Sequence, residues 1–321
     1  MTSAGYPAWR TDLPVPEALD RRDGRVYVAP PDTRLAVNVA LATGRPLLLR
    51  GDPGTGKSSL AAYLARYLNW RYYEVVISSR TQTRDLLWSY DAVRRLADAQ
   101  SHSLKADFEY VEPGVLWWAL APGSARRRGL PDGQPPDGKP PTEPFRELNR
   151  GRASDAAVLL IDEIDKADPD VPNGILVALG SNEFTVTETG TNVGRENPET
   201  GRNLIVITTN EERELPQAFL RRCIVTWLKA PGRETLIKIL QEHVTQYGGK
   251  WAEGDQQLAA ALVAELPIVS AEAKTKALRQ PSIAEFLDAF HACRNLGIRV
   301  GTPDWEHLTS LVLLKQQQPE G

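Results

Sequence analysis

A glycine-rich stretch near the amino terminus contains the residues best suited to hold a phosphate group. It fits the pattern G-x-x-x-x-G-K-[ST] between Gly51 and Ser58. Glycines let the backbone turn tightly and point several N–H groups at one anion. The Lys57 ammonium can then contact the terminal phosphates of a nucleotide, and the Ser58 hydroxyl can bind Mg²⁺. We predict that the phosphate is held by Gly51, Asp52, Pro53, Gly54, Thr55, Gly56, Lys57, Ser58 and Ser59.

Paired carboxylates follow a continuous apolar run later in the chain. Residues 156–161 read A-A-V-L-L-I and lead directly into Asp162 and Glu163. Buried parallel strands deliver polar groups in this way to the carboxyl edge of a sheet. We predict that Asp162 binds Mg²⁺ and that Glu163 polarises the water that attacks the γ-phosphate. Asn210 ends another such run, 204–209, and is predicted to contact that water or the γ-phosphate.

Further strands and helices must position these groups. An apolar run at 47–49 precedes the glycine-rich loop, and leucines at helical spacing follow it. Residues 72–77 and 224–228 also have the composition of strands. Strands that alternate with helices predict an α/β fold with a parallel sheet.

Length and composition suggest two domains in an ordinary globular chain. The 321 residues are 41% hydrophobic and 25% charged. We predict an amino-terminal arm at 1–25, a nucleotide-binding α/β domain at 26–230 and an α-helical lid at 231–321. The helices predicted for the lid span 234–246, 256–265, 282–296 and 305–315, and Ser282 and Glu285 have the spacing of a capping box.

Several classes of protein fit the composition poorly. The net charge of −3 argues against nucleic acid as the default partner. No apolar run approaches the roughly 20 residues of a membrane span, and the amino terminus does not resemble a signal peptide, so we expect a cytoplasmic protein with no membrane partner. Cys223 and Cys293 suggest neither a disulfide framework nor a zinc site.

Three stretches between the motifs allow more than one interpretation. Apolar residues at helical spacing predict a helix over 85–99. Trp117 and Trp118 could contact a partner, although burial within the protein is favoured. Residues 122–144 are rich in Gly and Pro and are predicted to form a mobile loop. The arginines at 126–128 could contact phosphate or an acidic partner, but a solvated charge cluster is favoured.

With its motifs in this order, the chain resembles the MoxR-like branch of the AAA+ ATPases. The resemblance covers about 27–314, and the motifs that carry it lie at 51–58, 160–167, 208–210 and 215–222. An insert in helix 2 at 108–114 and a hairpin with a long polar tip from 183 point to the MoxR-like clade.

The resemblance implies a P-loop AAA+ core with a five-stranded parallel sheet and a small all-α lid. It also implies a homo-oligomeric ring, usually hexameric, with ATP and Mg²⁺ at each subunit boundary. Arg222 takes the position of the arginine finger that acts on the neighbouring subunit, with Arg221 as the alternative. Arg279 is the candidate lid arginine that contacts the γ-phosphate, although its surroundings depart from the usual Gly-Ala-Ser-Pro-Arg pattern.

The leading functional hypothesis is an ATPase that remodels, matures or regulates a partner protein, which it could reach through a von Willebrand factor A-like adaptor. An alternative is a nucleic-acid-linked NTPase motor of a defence or restriction system. A third hypothesis is a nucleotide-gated scaffold with little turnover, and a small-molecule kinase is the least favoured. The P-loop contacts only phosphates, and residues 165–168 lack the leading Asn of a guanine-binding N-K-x-D motif, so ATP is favoured.

Overall fold

The structure is a computed structural model that describes residues 23–134, 139–196, 202–275 and 280–314. The described residues fall into two compact units, 23–229 and 230–314. The predicted arm at 1–25 falls outside the described residues except for its last three positions.

The first unit alternates strands and helices. Its strands are β1 Leu47–Arg50, β2 Trp70–Val76, β3 Trp88–Tyr90, β4 Val111–Pro113, β5 Ala153–Asp162, β6 Glu183–Val186, β7 Thr191–Gly194, β8 Arg202–Thr209 and β9 Ile224–Trp227. Its helices are α1 Pro31–Thr43, α2 Lys57–Tyr67, α3 Thr83–Leu87, α4 Ala92–Gln100, α5 Val115–Leu120, α6 Pro122–Arg126, α7 Arg146–Asn149, α8 Asp170–Ser181 and α9 Gln217–Leu220, with 3-10 turns at Asp107–Tyr110 and Ile164–Lys166.

The central sheet has five strands in the order β2-β5-β8-β1-β9, and every neighbouring pair is parallel. This confirms the predicted α/β fold and its five-stranded parallel sheet. Successive residues of a strand point to opposite faces, and both faces carry a buried core. Leu48 and Leu159 pack into one core, whereas Leu49 and Leu160 pack into the other. Burial on both faces explains why the strands read as continuous apolar runs.

The register of the sheet gathers the ends of its strands at one edge. Val76 at the end of β2 pairs with Asp162 at the end of β5. Arg50 at the end of β1 pairs with Thr209 at the end of β8. The glycine-rich loop, the acid pair and Asn210 each follow one of these strand ends, so the sheet brings the predicted site residues to a common edge.

The prediction of one continuous helix over 85–99 is wrong, although residues 85–87 and 92–99 are helical. The chain instead forms α3, then β3 antiparallel to β4, and then α4. The apolar side chains Val93 and Leu96 of α4 are 81% and 60% exposed. Its polar side chains face the 3-10 turn: the Arg95 guanidinium lies 2.8 Å from Asp107, and the Tyr110 hydroxyl donates to Asp98. Helical spacing suggested a buried apolar face, but α4 packs through its polar face.

The prediction of a loop at 122–144 is wrong at its amino-terminal end, and residues 135–138 lie outside the described residues. Residues 122–126 form α6, and all three arginines pair within the chain. Arg128 is only 4% exposed and donates to the Val111 carbonyl and to Glu112, both at 2.9 Å. Arg126 pairs with Glu143, and Arg127 pairs with Asp132. The favoured interpretation of a solvated charge cluster is therefore wrong for the buried Arg128, whereas the Arg126 side chain is 55% exposed.

The tryptophan pair and the following hairpin pack together. Trp117 and Trp118 are buried, which confirms the favoured interpretation. Trp117 lies edge-on against Phe184 of β6, with ring centroids 5.7 Å apart. The hairpin of β6 and β7 closes through residues 187–190, a shorter tip than predicted. The segment 197–201, which was expected to extend that tip, lies outside the described residues.

The described residues of the second unit form helices, namely α10 Arg233–Gln246, α11 Glu253–Thr275, α12 Ile283–Leu296 and α13 Pro303–Thr309, with a π-helical turn at Ser310–Leu314. The capping box of α12 is confirmed: the Glu285 N–H donates to the Ser282 hydroxyl, and the Glu285 carboxylate accepts from the Ser282 N–H at 2.6 Å. Helix α11 is longer than predicted because it continues through Pro267. Among the described residues, no helix has the length and apolar character required to cross a membrane.

We predict that Trp117→Ala lowers the free energy of unfolding by about 3–5 kcal/mol, since the substitution leaves a large cavity beside Phe184. Urea denaturation followed by circular dichroism measures the change. Val93→Ala is the matched control, and its effect should stay within about 0.5 kcal/mol because Val93 is exposed. A comparable loss in both variants would contradict the structural role of Trp117.

Candidate nucleotide-binding site

The glycine-rich loop has the backbone conformation that its composition predicts. Gly51, Gly54 and Gly56 have φ angles of 143°, 78° and 86°, which side-chain-bearing residues rarely adopt. A Cβ atom at Gly51 would lie 2.4 Å from the Leu228 carbonyl oxygen, so the close approach of these segments requires glycine. The loop leads directly into α2, whose amino-terminal N–H groups and dipole favour an anion.

The side chain of Lys57 reaches back into the glycine-rich loop that precedes it. Its ammonium donates to the carbonyl oxygens of Gly51 and Asp52 at 2.7 and 2.8 Å, and the residue is only 6% exposed. Burial lowers the pKa of this ammonium, and the negative charges of Asp162 and Asp165 oppose the shift. A buried cation at the first position of α2 is well placed to attract a phosphate.

Asp162 is a buried carboxylate with two hydroxyl partners. The Ser58 hydroxyl lies 2.8 and 2.9 Å from its two oxygens, and the Thr208 hydroxyl lies 2.5 Å from Oδ1. The structure thus brings together the two residues predicted to bind Mg²⁺. Thr208 was not predicted from the sequence. The signal that could have found it is a hydroxyl residue near the end of a strand that adjoins the acid-bearing strand.

Glu163 begins the segment after β5 in a left-handed conformation, with φ 60°. Such a conformation costs a non-glycine residue on the order of 1–3 kcal/mol, and the Glu163 N–H is fixed by a 2.9 Å hydrogen bond to the Thr208 hydroxyl. Its carboxylate accepts from Lys166 Nζ at 2.7 Å and from Asn210 Nδ2 at 3.5 Å. The predicted pair of Glu163 and Asn210 is therefore in contact. Lys166 was not predicted to take part.

Asp165 anchors the segment that contains Asn210. Its Oδ2 accepts from the backbone N–H groups of Asn210 and Glu212 at 3.2 and 2.9 Å, and the residue is 2% exposed. These bonds fix the backbone just beyond β8. Asp165 stands where a guanine-binding N-K-x-D motif has its Asn, and its carboxylate is engaged by the protein's own backbone.

Arg50 connects the ends of three neighbouring strands. It forms an ion pair with Glu211 after β8, and its guanidinium carbon lies 5.7 Å from the ring centroid of Trp227 at the end of β9. This contact joins the strand before the glycine-rich loop to the segment after Asn210. It was missed because the sequence does not reveal which strands are neighbours.

Two of the predicted arginines directly follow α9, and the third lies outside the described residues. Arg221 and Arg222 are exposed at the end of α9, and the Arg222 guanidinium donates to the Ala218 carbonyl at 3.0 Å. Within the part of the chain that the structure describes, neither arginine forms an ion pair. Arg279 lies outside the described residues, so the lid arginine remains a prediction.

Comparison with known proteins gives a family match over the first unit. A model of the AAA domain, dynein-related subfamily, matches residues 46–223. Among solved structures, domain III of the replication initiation protein DnaA from Thermotoga maritima has 15% identity and a TM-score of 0.43, with 91% of this chain and 97% of that chain covered. A protein named as a putative ATPase from Cytophaga hutchinsonii has 14% identity and a TM-score of 0.41, with 87% and 79% covered. No curated protein matches the chain.

The family match spans more than half of the chain and includes the glycine-rich loop, Asp162, Glu163, Asn210 and Arg222. It therefore covers the strand edge at which the predicted site residues meet. The chain belongs to the dynein-related subfamily of AAA-domain proteins.

Proposed function

We propose that this protein is an ATPase that couples the hydrolysis of Mg-ATP in a ring to the remodelling, maturation or regulation of a partner protein. The observation that carries the proposal is the convergence of Lys57, the Ser58–Asp162 pair and the Glu163–Asn210 pair at one edge of the sheet. A phosphate-binding loop, two oxygen groups suited to a hard cation and a carboxylate beside an amide are the parts that phosphoryl transfer to water requires.

The residues present fit Mg²⁺. Ser58 and Asp162 supply a hydroxyl and a carboxylate within 3 Å of each other, and Mg²⁺ prefers oxygen ligands. Among the described residues, no cluster of three or more His, Cys, Asp or Glu forms a complete metal cage. That fits Mg²⁺, which commonly takes one or two protein ligands and completes its shell with water and phosphate. When bound, the ion neutralises charge on the phosphate oxygens.

The chain's own residues divide the remaining tasks. Lys57 and the backbone N–H groups of the loop bind the phosphates and orient them. Glu163 accepts hydrogen bonds and can take one from water, while Asn210 beside it can orient that water or contact the γ-phosphate. Asp165 acts through the backbone, because its two bonds hold the segment that presents Asn210.

We predict that Lys57→Ala abolishes nucleotide binding, whereas Glu163→Gln keeps binding and lowers turnover at least about 10²-fold. The lysine contacts the phosphates of the ground state, and the glutamate acts on water. Binding of a fluorescent ATP analogue and release of phosphate measure the two effects. Lys105→Ala and Glu214→Gln, which change exposed residues of the same types, are the matched controls. Near-normal hydrolysis by Glu163→Gln would remove Glu163 from its proposed role.

The exposure of Arg221 and Arg222 supports a ring in which neighbouring subunits share active sites. Arg222 is exposed, and within the described residues its guanidinium bonds to its own helix and forms no ion pair, so it is available to a neighbouring subunit. In trans it would cancel charge that develops on the transferring phosphoryl group. Arg221 precedes it and is also exposed, and it is the alternative.

We predict that ATP increases the particle mass of Glu163→Gln, since the γ-phosphate would connect Lys57 of one subunit with Arg222 of the next. Multi-angle light scattering with ATP, with ADP and without nucleotide measures the change. An unchanged monomer in all three conditions, also in the presence of a co-purified partner, would contradict the ring.

We also predict that Arg222→Ala lowers turnover on the order of 10³-fold while nucleotide binding persists. Rings mixed from Arg222→Ala and Glu163→Gln subunits should regain activity, because some boundaries then combine an intact Glu163 with an intact Arg222. Phosphate release is measured against mixing ratio, and energy transfer between labelled subunits verifies their exchange. Exchange without recovery would rule out Arg222 in trans, and the same mixture with Arg221→Ala tests its neighbour.

A protein client is favoured over a nucleic-acid track by the charges. The net charge is −3, and the arginines at 126–128 pair with Glu143, Asp132 and Glu112 of the same unit. This basic cluster is therefore paired with carboxylates of its own unit. A von Willebrand factor A-like adaptor is the proposed route to the client, and affinity capture with Glu163→Gln in ATP is the experiment that identifies both.

A further inference from the structure

Glu163, the proposed catalytic base, forms an ion pair with Lys166 of the 3-10 turn that follows it. Lys166 Nζ lies 2.7 Å from Glu163 Oε2, while Asn210 Nδ2 lies 3.5 Å from Oε1. Each oxygen of the carboxylate therefore has a partner from the protein. We propose that the Lys166–Glu163 ion pair restrains Glu163 and must open before Glu163 polarises water, so that Lys166 sets the basal rate of hydrolysis. This inference rests on the proposed ATPase function and concerns its regulation.

The local backbone places Lys166 against Glu163. Lys166 is the last residue of the 3-10 turn Ile164–Lys166, and its N–H donates to the Glu163 carbonyl at 3.0 Å. The turn is fixed at both ends: the Glu163 N–H bonds to Thr208, and Asp165 accepts from the backbone beyond β8. With the backbone held on both sides, the side chains of Lys166 and Glu163 remain the adjustable parts of the turn.

The chemistry gives the direction of the effect. A general base must offer a carboxylate oxygen to water within hydrogen-bond reach, and Lys166 Nζ occupies Oε2 of Glu163 at 2.7 Å. Asn210 carries no charge and lies 3.5 Å from Oε1, so it can orient Glu163 without holding the carboxylate as closely as the ion pair does. Lys166 thus acts as a positioning residue that opposes catalysis in the resting pair.

The size of the effect follows from exposure. The side chains of Lys166 and Glu163 are 39% and 29% exposed, so water screens the pair. Ion pairs at such exposure shift an equilibrium by about two- to fivefold, which is small enough for the pair to open in each catalytic cycle. The pair therefore moderates turnover and does not block it.

The test compares Lys166→Met with the full-length wild type in phosphate release at varied Mg-ATP. We expect kcat to rise about two- to fivefold with KM unchanged, because the substitution removes the charge and keeps the length of the side chain. Lys166→Arg should retain the wild-type rate, and Lys105→Met, at an exposed lysine elsewhere, should have no effect. Lys166→Gln serves as a second neutral variant if Lys166→Met folds poorly.

The double variant Glu163→Gln with Lys166→Met should be as inactive as Glu163→Gln alone, since the lysine acts through the glutamate. A kcat at or below the wild-type value in both neutral variants, or a rise that persists in the double variant, would overturn the proposal. If the wild type itself hydrolyses ATP and Glu163→Gln does not, such results overturn the role of Lys166 alone. A wild type without hydrolysis would overturn the proposed function, and this inference with it.

Discussion

The buried carboxylate of Asp162 is the constraint on which the site depends. A charge removed from water is stabilised only where the protein supplies polar partners. Asp162 is 4% exposed, and its partners include a hydroxyl from α2 and a hydroxyl from β8. The Asp162 carboxylate thereby connects α2, β5 and β8. Loss of any partner would leave the carboxylate under-satisfied, so the interaction that builds the site also fixes its geometry.

Glu163 is the next residue, but its side chain is less buried and has different partners. Its backbone is held in a left-handed conformation, whereas its half-buried side chain pairs with Lys166 within one turn and with Asn210 from the end of β8. A rigid Asp162 suits a group that positions a metal ion, since small displacements weaken the coordination of Mg²⁺. An adjustable Glu163 suits a group that must exchange one hydrogen-bond partner for another during a reaction cycle. The two carboxylates of one motif are thus separated by their environments.

Those features of the fold that depend on local composition could be predicted from the sequence. Strands buried on both faces read as apolar runs, and glycine with lysine at fixed spacing marks the phosphate-binding loop. From these, Lys57, Asp162, Glu163 and Asn210 could be placed at one edge. Two contacts could not be predicted, namely the pairing of Glu211 with Arg50 and the contact of Thr208 with Asp162. Both depend on strand order and register.

The errors at 85–99 and 122–144 have a common physical cause. Composition counts apolar residues as the source of packing, but here arginines also anchor the chain. In the first stretch, Arg95 of α4 pairs with Asp107. Arg71 of β2 donates to the Trp118 carbonyl at 2.8 Å and to the Tyr73 hydroxyl at 3.0 Å. Tyr73 in turn donates to Glu143, which also pairs with Arg126.

This network attaches the Gly- and Pro-rich segment to an edge strand of the sheet. A guanidinium offers five donors in a fixed plane, so one side chain can satisfy several carbonyl and carboxylate groups of irregular backbone at once. A segment that cannot supply apolar side chains can therefore still be ordered by arginines. It follows that the basic residues of such a segment indicate an internal framework as readily as a binding surface, and only their partners distinguish the two.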